Sequence, residues 1–203
     1  MVERGFDQLD KAAWRARVLA ERRAASAATH AAEATALADA VGRWASGQRG
    51  TACAYVPVGT EPGSSAMLDA LRWAGWRVLL PVVPAPRVGP SALEWAEYRG
   101  EGSLARGAFG LLEPTGPRLG PDAAAEAEVV FVPALAVDAR GVRLGRGGGY
   151  YDRSLPLTRP GTLLVAVVRD GEVVAELPAE PHDVRVGAVL TPARGLVPLA
   201  PPG

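Results

Sequence analysis

The sequence has very few of the side chains that build disulfides and zinc sites. Cys53 is its single cysteine, so no disulfide can form within the chain, which fits a reducing compartment. Cys53 stands in an apolar run and is predicted to be a buried, inert thiol. The two histidines, His30 and His182, are far apart and have no cysteine partner, which argues against a zinc site.

An excess of charge of either sign is also absent. The 203 residues include 22 basic and 22 acidic side chains, and the only lysine is Lys11. This balance argues against nucleic-acid or membrane binding through bulk electrostatics. We expect neither a leader nor a membrane span, because residues 1 to 20 do not show a charged-then-apolar pattern and no apolar run reaches membrane-spanning length. We therefore expect a cytoplasmic monomer whose partners are small molecules, with no nucleic acid and no membrane.

The alternation of apolar runs and helical segments predicts an α/β fold. From Asp10 to Trp44 the chain is alanine-rich and lacks proline, which predicts two N-terminal helices with a break near residues 26 to 29. We expect a single three-layer α/β/α domain over residues 1–203, with a mostly parallel central sheet and loose termini at 1–8 and 195–203. Strands are expected at 51–58, 77–83, 93–98, 129–135, 162–168, 172–177 and 188–191, and further helices at 64–74, 122–127 and 149–157.

Two local patterns in this outline carry particular expectations. The apolar runs at 162–168 and 172–177 flank an Arg-Asp-Gly turn and predict a hairpin. Residues 51 to 83 predict a strand–helix–strand unit with parallel strands, and Glu61 follows its first strand. Loops at the carboxyl ends of such strands carry ligand sites. Taken alone, Glu61 could bind a ligand or simply cap the next helix.

The segment from 143 to 153, RLGRGGGYYDR, concentrates groups that bind anions. Glycines let the backbone approach a ligand closely, and a glycine run entering a helix points free N–H groups at one spot. Arginines add planar cations that fit phosphate oxygens. Asp152, just inside the helix, could bind a hard cation such as Mg²⁺. The segment therefore predicts a nucleotide-phosphate site with a metal, or else only a flexible loop whose acid suits a helix N-terminus.

Two common phosphate motifs do not describe this segment. No Gly-Lys-Ser/Thr follows the glycines, so it is not a Walker A loop, and their spacing does not match the dinucleotide fingerprint. Lys11 and Arg15, near the start of the chain, lie four residues apart and so share one helix face. Two such cations can reach a polyphosphate or can form part of a solvated face.

Residues 129 to 153, VVFVPALAVDARGVRLGRGGGYYDR, resemble the signature of the 5-formyltetrahydrofolate cyclo-ligase family, also called 5,10-methenyltetrahydrofolate synthetases. Four weaker segments are similar to that family in the same order. They are residues 11 to 15, with Trp14 where leucine is usual, YVPVGTEPGS at 55 to 64, FGLLEP at 109 to 114, and EPHD at 180 to 183. Together the five segments span nearly the whole chain.

The resemblance implies an enzyme of one-carbon metabolism, a ligase that uses ATP as co-substrate and Mg²⁺ as cofactor. In that family's reaction, 5-formyltetrahydrofolate is converted to 5,10-methenyltetrahydrofolate with release of ADP and phosphate. The γ-phosphoryl group of ATP is transferred to the formyl oxygen, N10 attacks the formyl carbon, and phosphate leaves. Such a transfer depends on positioning and on neutralised charge more than on covalent help from the protein.

The resemblance also implies roles for individual residues. ATP would be bound by Lys11, Arg15, Arg143, Leu144, Gly145, Arg146, Gly147, Gly148, Gly149, Tyr150 and Tyr151. The folate would be bound by Val56, Glu61, Arg146, Gly147, Gly148, Gly149 and Tyr150, with Glu61 accepting hydrogen bonds from the pterin. Arg146, Tyr150 and Asp152 would be catalytic, and Asp152 with Asp183 would hold the magnesium ion.

This chain departs from the family at two positions, because Gly148 stands where some relatives have lysine and Gly187 where an acid is common. Two other functions are compatible with such a sequence. One is a non-catalytic protein of the same fold that binds folate or nucleotide. The other is a sugar-phosphate isomerase of similar architecture, which would need a catalytic base that does not stand out here.

Overall fold

The computed structural model describes residues 9–84, 91–181 and 183–199. The loose terminus expected at residues 1 to 8 lies outside this part of the chain, as does His182. The α-helices are α1 (Lys11–Ala24), α2 (Ala27–Ala45), α3 (Ser65–Trp73) and α4 (Tyr150–Ser154). The strands are β1 (Thr51–Cys53), β2 (Arg77–Val82), β3 (Glu94–Glu97), β4 (Leu104–Arg106), β5 (Leu112–Pro114), β6 (Val129–Pro133), β7 (Ala136–Asp138), β8 (Arg143–Leu144), β9 (Leu163–Val167), β10 (Val173–Val174), β11 (Ala188–Thr191) and β12 (Gly195–Pro198).

The predicted pair of N-terminal helices is confirmed. The Asp10 carboxylate accepts a hydrogen bond from the Ala13 N–H at 2.7 Å and caps α1. The Ser26 hydroxyl accepts one from the Thr29 N–H at 3.0 Å and caps α2. The break lies at residues 25 and 26, because both take an extended backbone that cannot continue α1. No helix within the described ranges is long and apolar enough to cross a bilayer.

A seven-stranded sheet forms the centre of the molecule, in the order β12-β11-β9-β6-β1-β2-β3. The five inner strands are parallel, and β3 and β12 pair antiparallel at the two edges. This confirms the expected α/β class with a mostly parallel sheet. Parallel strands of this kind bring the loops after their carboxyl ends to one edge of the sheet.

Both faces of the sheet are buried, which explains why its inner strands are continuous apolar runs. In β6, Val129 and Phe131 pack under α2 and α3, whereas Val130 and Val132 pack on the opposite face. That opposite face is covered by the 3₁₀ helices Pro121–Glu126 and Leu155–Leu157 together with α4. Cys53 is fully buried there, as predicted, and burial raises the pKa of its thiol.

A second sheet, β10-β7-β8, lies beyond the carboxyl end of β6, and α1 packs on it. Val18 of α1 packs on its apolar side chains. Arg22 is fully buried and donates two 2.7 Å hydrogen bonds to the Glu172 carboxylate, and a third to the Ala134 carbonyl. Removing one partner of such a buried pair leaves an uncompensated charge. The pair therefore fixes α1 against the end of the central sheet.

Two sequence predictions of local structure are wrong. The expected hairpin is absent, because residues 170 to 172 form a 3₁₀ turn anchored by Glu172, and β10 pairs with β7 in the second sheet. The loose C-terminal segment expected from residue 195 is wrong for residues 195 to 198, because they form β12 and pair with β11. The helix expected at 122–127 is present as the 3₁₀ helix Pro121–Glu126.

Two other expected elements are shorter than predicted. The strand expected at 51–58 ends at Cys53, shortly before Pro57, which has no N–H to offer a sheet. The helix expected at 149–157 divides into α4 and the 3₁₀ helix Leu155–Leu157, which contains Pro156.

Candidate active site

A loop rich in glycine connects β8 to α4. We call residues 145 to 149 the glycine loop. Gly147 and Gly149 have φ angles of +96° and +66°, which side chains rarely adopt, and a Cβ on Gly149 would lie 2.5 Å from Arg153. Arg153 donates hydrogen bonds to the carbonyls of Gly148 (2.9 Å) and Ser91 (3.1 Å). The hydrogen bonds from Arg153 hold the loop, and the positive φ angles favour glycine at 147 and 149. Because α4 has only five residues, it adds less helix dipole than the sequence suggested.

A polar pocket of about 600 Å³ lies on the α1 side of the glycine loop. Lys11 reaches into it and donates to both Asp183 oxygens, at 2.9 and 3.2 Å, and its ammonium lies 3.3 Å from Glu180. Burial alone would lower the pKa of Lys11, but its hydrogen bonds to Asp183 and Glu180 and their charges raise it overall. Arg15 donates from Nε to the Gly145 carbonyl at 2.9 Å. The N-terminal helix thus supplies two cations to this pocket.

Arg143 and Asp152 form an ion pair between the ends of β8 and α4. Arg143 Nη2 donates to Asp152 Oδ1 at 2.7 Å, and Nη1 donates to the Pro133 carbonyl at 3.3 Å. Arg143 is buried, and its Nε has no hydrogen-bond partner among the described residues. The Asp152 side chain is partly exposed. Arg143 contacts only Oδ1 of Asp152, and Asp152 lines the polar pocket.

A second, largely apolar pocket of about 360 Å³ lies on the other side of the glycine loop. Its walls are formed by apolar side chains that follow β1, β2 and β6 and by the turn between β4 and β5. They include Val56, Val58, Val83, Leu93, Phe109, Leu111, Leu112 and Leu135. A cavity of this size and character suits a flat, partly apolar ring system.

Glu61 and Arg146 pair at this apolar pocket. Arg146 Nε donates to Glu61 Oε1 at 3.0 Å, while Glu61 Oε2 accepts from the Val58 N–H at 2.9 Å. Only 11% of the Glu61 side chain is exposed, compared with 51% for Arg146. Glu61 lies before the N-cap of α3, which is Ser64, so the helix-capping alternative is wrong.

Every residue that the sequence placed in the site lines one of the two pockets. The polar pocket contacts Lys11, Arg15, Arg143, Leu144, Gly145, Gly147, Gly149, Asp152 and Asp183. The apolar pocket contacts Val56, Glu61, Arg143, Arg146, Gly147, Gly148, Gly149, Tyr150, Tyr151 and Asp152. Tyr151 was expected beside ATP, yet it lines only the apolar pocket.

Sequence reasoning missed two aromatic residues of the apolar pocket. Tyr55 looks like an ordinary strand residue in the sequence, but its side chain lines the pocket wall. Phe109 belongs to a turn that was singled out only for its resemblance. Its φ is +55°, unusual for a residue with a side chain, and it is 78% exposed at the pocket.

Comparison with known sequences decides the family. A sequence model of the 5-formyltetrahydrofolate cyclo-ligase family matches residues 7–192. The chain belongs to this family. A curated cyclo-ligase from Mycolicibacterium smegmatis is 49% identical over 193 residues, covering 93% of this chain and 97% of that protein. One from Escherichia coli K12 is 30% identical over 149 residues, covering 71% and 79%.

Solved structures agree with this assignment to the cyclo-ligase family. The 5,10-methenyltetrahydrofolate synthetase of Aquifex aeolicus aligns with a TM-score of 0.72 and 26% identity, over 93% of this chain and 92% of that one. The synthetase of Mycoplasma pneumoniae has the same fold, with a TM-score of 0.69 at 17% identity. The chain is accordingly an enzyme, a ligase of folate metabolism.

Proposed function

We propose that this enzyme converts 5-formyltetrahydrofolate to 5,10-methenyltetrahydrofolate at the expense of ATP, with release of ADP and phosphate. One observation carries the proposal. The apolar and polar pockets meet at a common wall made of Arg143, Gly147, Gly149 and Asp152. A reduced folate in one pocket and a nucleotide in the other would therefore bring their reacting groups together at this wall.

The chemistry of each pocket supports this division. The apolar pocket offers aliphatic and aromatic walls to the pterin and aminobenzoyl rings, with the Glu61 carboxylate to accept hydrogen bonds from pterin N–H groups. The polar pocket offers Lys11, Arg15 and the backbone of the glycine loop to a triphosphate. Without a ligand these cations contact Asp183, Glu180 and the Gly145 carbonyl, so nucleotide binding would exchange those contacts for phosphate oxygens.

The residues at the polar pocket also fit magnesium carried by the nucleotide. Asp152 and Asp183 both line it. Among the residues described here, no group of three or more His, Cys, Asp or Glu side chains could hold a metal by itself. Mg²⁺ typically takes one or two carboxylates, substrate phosphates and water rather than a complete protein cage. Asp152 and Asp183 would hold it, and the bound ion would neutralise charge on the phosphate oxygens.

The reaction then divides into two balanced steps. The formyl oxygen attacks the γ-phosphorus, the bond to ADP breaks, and a phosphorylated iminium forms at N5. The N10 amine attacks the formyl carbon and loses its proton, the carbon–oxygen bond breaks, and phosphate leaves with the former formyl oxygen. Arg146 and Tyr150 line the folate side of the common wall. They would position the formyl group, and Arg146 would stabilise the charge that develops on the transferred phosphoryl group.

A steady-state assay tests the proposal. Purified protein with 5-formyltetrahydrofolate, ATP and Mg²⁺ should generate the absorbance of the methenyl product, with one ADP per product. Omission of ATP or of Mg²⁺ should abolish the signal. Tight folate binding without any product would instead support the non-catalytic alternative. The cytoplasmic location, the single domain and the monomeric state remain predictions.

A further inference from the structure

Tyr55 and Tyr151, two residues of the apolar pocket, have hydroxyls with no hydrogen-bond partner in the described part of the chain. Tyr55 and Tyr151 both line this pocket, and both hydroxyl oxygens are buried. Neither makes a hydrogen bond to any residue of the described segments. A buried hydroxyl without a partner costs free energy, so native proteins satisfy nearly all such groups. Two of them at one pocket indicate that a ligand supplies the missing partners.

The two carboxylates in the wall of this pocket differ from these hydroxyls in having partners. Glu61 pairs with Arg146, and Asp152 pairs with Arg143. A phenol is protonated at neutral pH, so each hydroxyl can donate a hydrogen bond. Tyr55, Tyr151 and Glu61 all line the same apolar pocket.

We propose that the hydroxyls of Tyr55 and Tyr151 act with Glu61 to recognise the heteroatom edge of the pterin ring. The assignment rests on the proposed function. A carboxylate accepts hydrogen bonds from ring N–H and amino groups, whereas a phenol can donate to a ring carbonyl or nitrogen. A pterin presents both kinds of group along one edge, and the aminobenzoyl ring does not.

The test uses substitutions that remove only the hydroxyl. Tyr55→Phe and Tyr151→Phe keep the ring, so each should weaken 5-formyltetrahydrofolate binding about three- to tenfold, the value of one hydrogen bond. ATP binding should not change in either variant. The melting temperature of the free protein should stay the same or rise, because the substitution removes a polar group that has no partner.

Tyr98→Phe provides the matched control. The Tyr98 hydroxyl donates to Asp69 at 3.2 Å, and Tyr98 lines neither pocket. This variant should lose some stability and bind the folate as the wild type does. The assignment to the pterin is overturned if both pocket variants bind folate normally, or if their melting temperatures fall as that of Tyr98→Phe does. If the wild type binds no reduced folate at all, the proposed function fails and this assignment fails with it.

Discussion

Lys11 gives the sharpest single test of the nucleotide site. Its ammonium lies 2.9 Å from Asp183 and 3.3 Å from Glu180, and its side chain is only 20% exposed. Exposed ion pairs contribute about 0.2–1 kcal/mol, and breaking a buried pair costs about 3–5 kcal/mol. For this partly exposed pair we expect Lys11→Ala to destabilise the fold by about 1–2 kcal/mol. The melting temperature should fall by about 2–4 °C for each kcal/mol in a chain of this length.

The effect on ATP binding should be similar in size to the effect on folding. A charge-assisted hydrogen bond contributes about 1.5–3 kcal/mol, which corresponds to roughly ten- to a hundredfold in affinity. Lys11 must break its contacts with Asp183 and Glu180 before it can bind a phosphate. We therefore expect an effect near the lower end of this range, about a tenfold rise in the ATP dissociation constant. Turnover should fall as well, since charge builds up during phosphoryl transfer. Lys11→Arg should restore only part of this, because a guanidinium fork is not a compact point charge.

The assay is ATP titration by calorimetry, and Arg17→Ala is its control. Arg17 lies on the same helix, is 45% exposed and pairs with Glu21, so its loss should leave ATP binding unchanged. The pKa of Lys11 is raised above its ordinary value of 10.5, so the pair's contribution to stability is complete below that pH and is lost as the pH rises through the folded pKa. The stability difference between Lys11→Ala and wild type should therefore be constant near neutrality. Unchanged ATP affinity in Lys11→Ala would refute the reasoning and remove α1 from the site.

Three further substitutions test separate parts of the account. Asp152→Asn should lower kcat at least about tenfold and change folate affinity little, because a metal ligand is lost; a near-normal rate at saturating Mg²⁺ would exclude the metal role. Glu61→Ala should weaken folate binding at least about tenfold while ATP binding stays nearly unchanged; an equal loss for both ligands would argue against pterin recognition. Glu172→Ala should destabilise the protein by about 3–5 kcal/mol in denaturant unfolding, because it leaves Arg22 buried without its carboxylate; a loss below about 1 kcal/mol would show that the pair does not fix α1.

The sequence predicted which residues line the site better than it predicted their contacts. Lys11 and Asp183 are 172 positions apart, yet the family resemblance implied that one binds ATP and the other its magnesium ion, and both line the polar pocket. Their direct pairing was not foreseen, and neither was the pairing of Glu61 with Arg146. The sequence shows which cationic and acidic residues are available to a site. It does not indicate that these charges neutralise one another when the ligand is absent.

The errors of the fold prediction have a similar origin. Two apolar runs around an Asp-Gly turn favour a hairpin locally, but burial of Glu172 against Arg22 takes the second run into another sheet. That contact joins residues 150 positions apart and has no local signal. Tyr55 was also missed because its local sequence carries no signal of a ligand site. A tyrosine at the end of an apolar strand is usually part of the core, and only the absence of a partner for its hydroxyl marks it out.

The central claim is that the folate and the nucleotide react across the wall that the two pockets share. Isotope transfer tests it most directly. The enzyme would be given 5-formyltetrahydrofolate labelled with ¹⁸O in the formyl group, together with unlabelled ATP and Mg²⁺, and the released phosphate would be analysed by mass spectrometry. The account predicts one ¹⁸O atom in each phosphate, because the formyl oxygen accepts the γ-phosphoryl group and leaves with it. Unlabelled phosphate released together with methenyl product would contradict it.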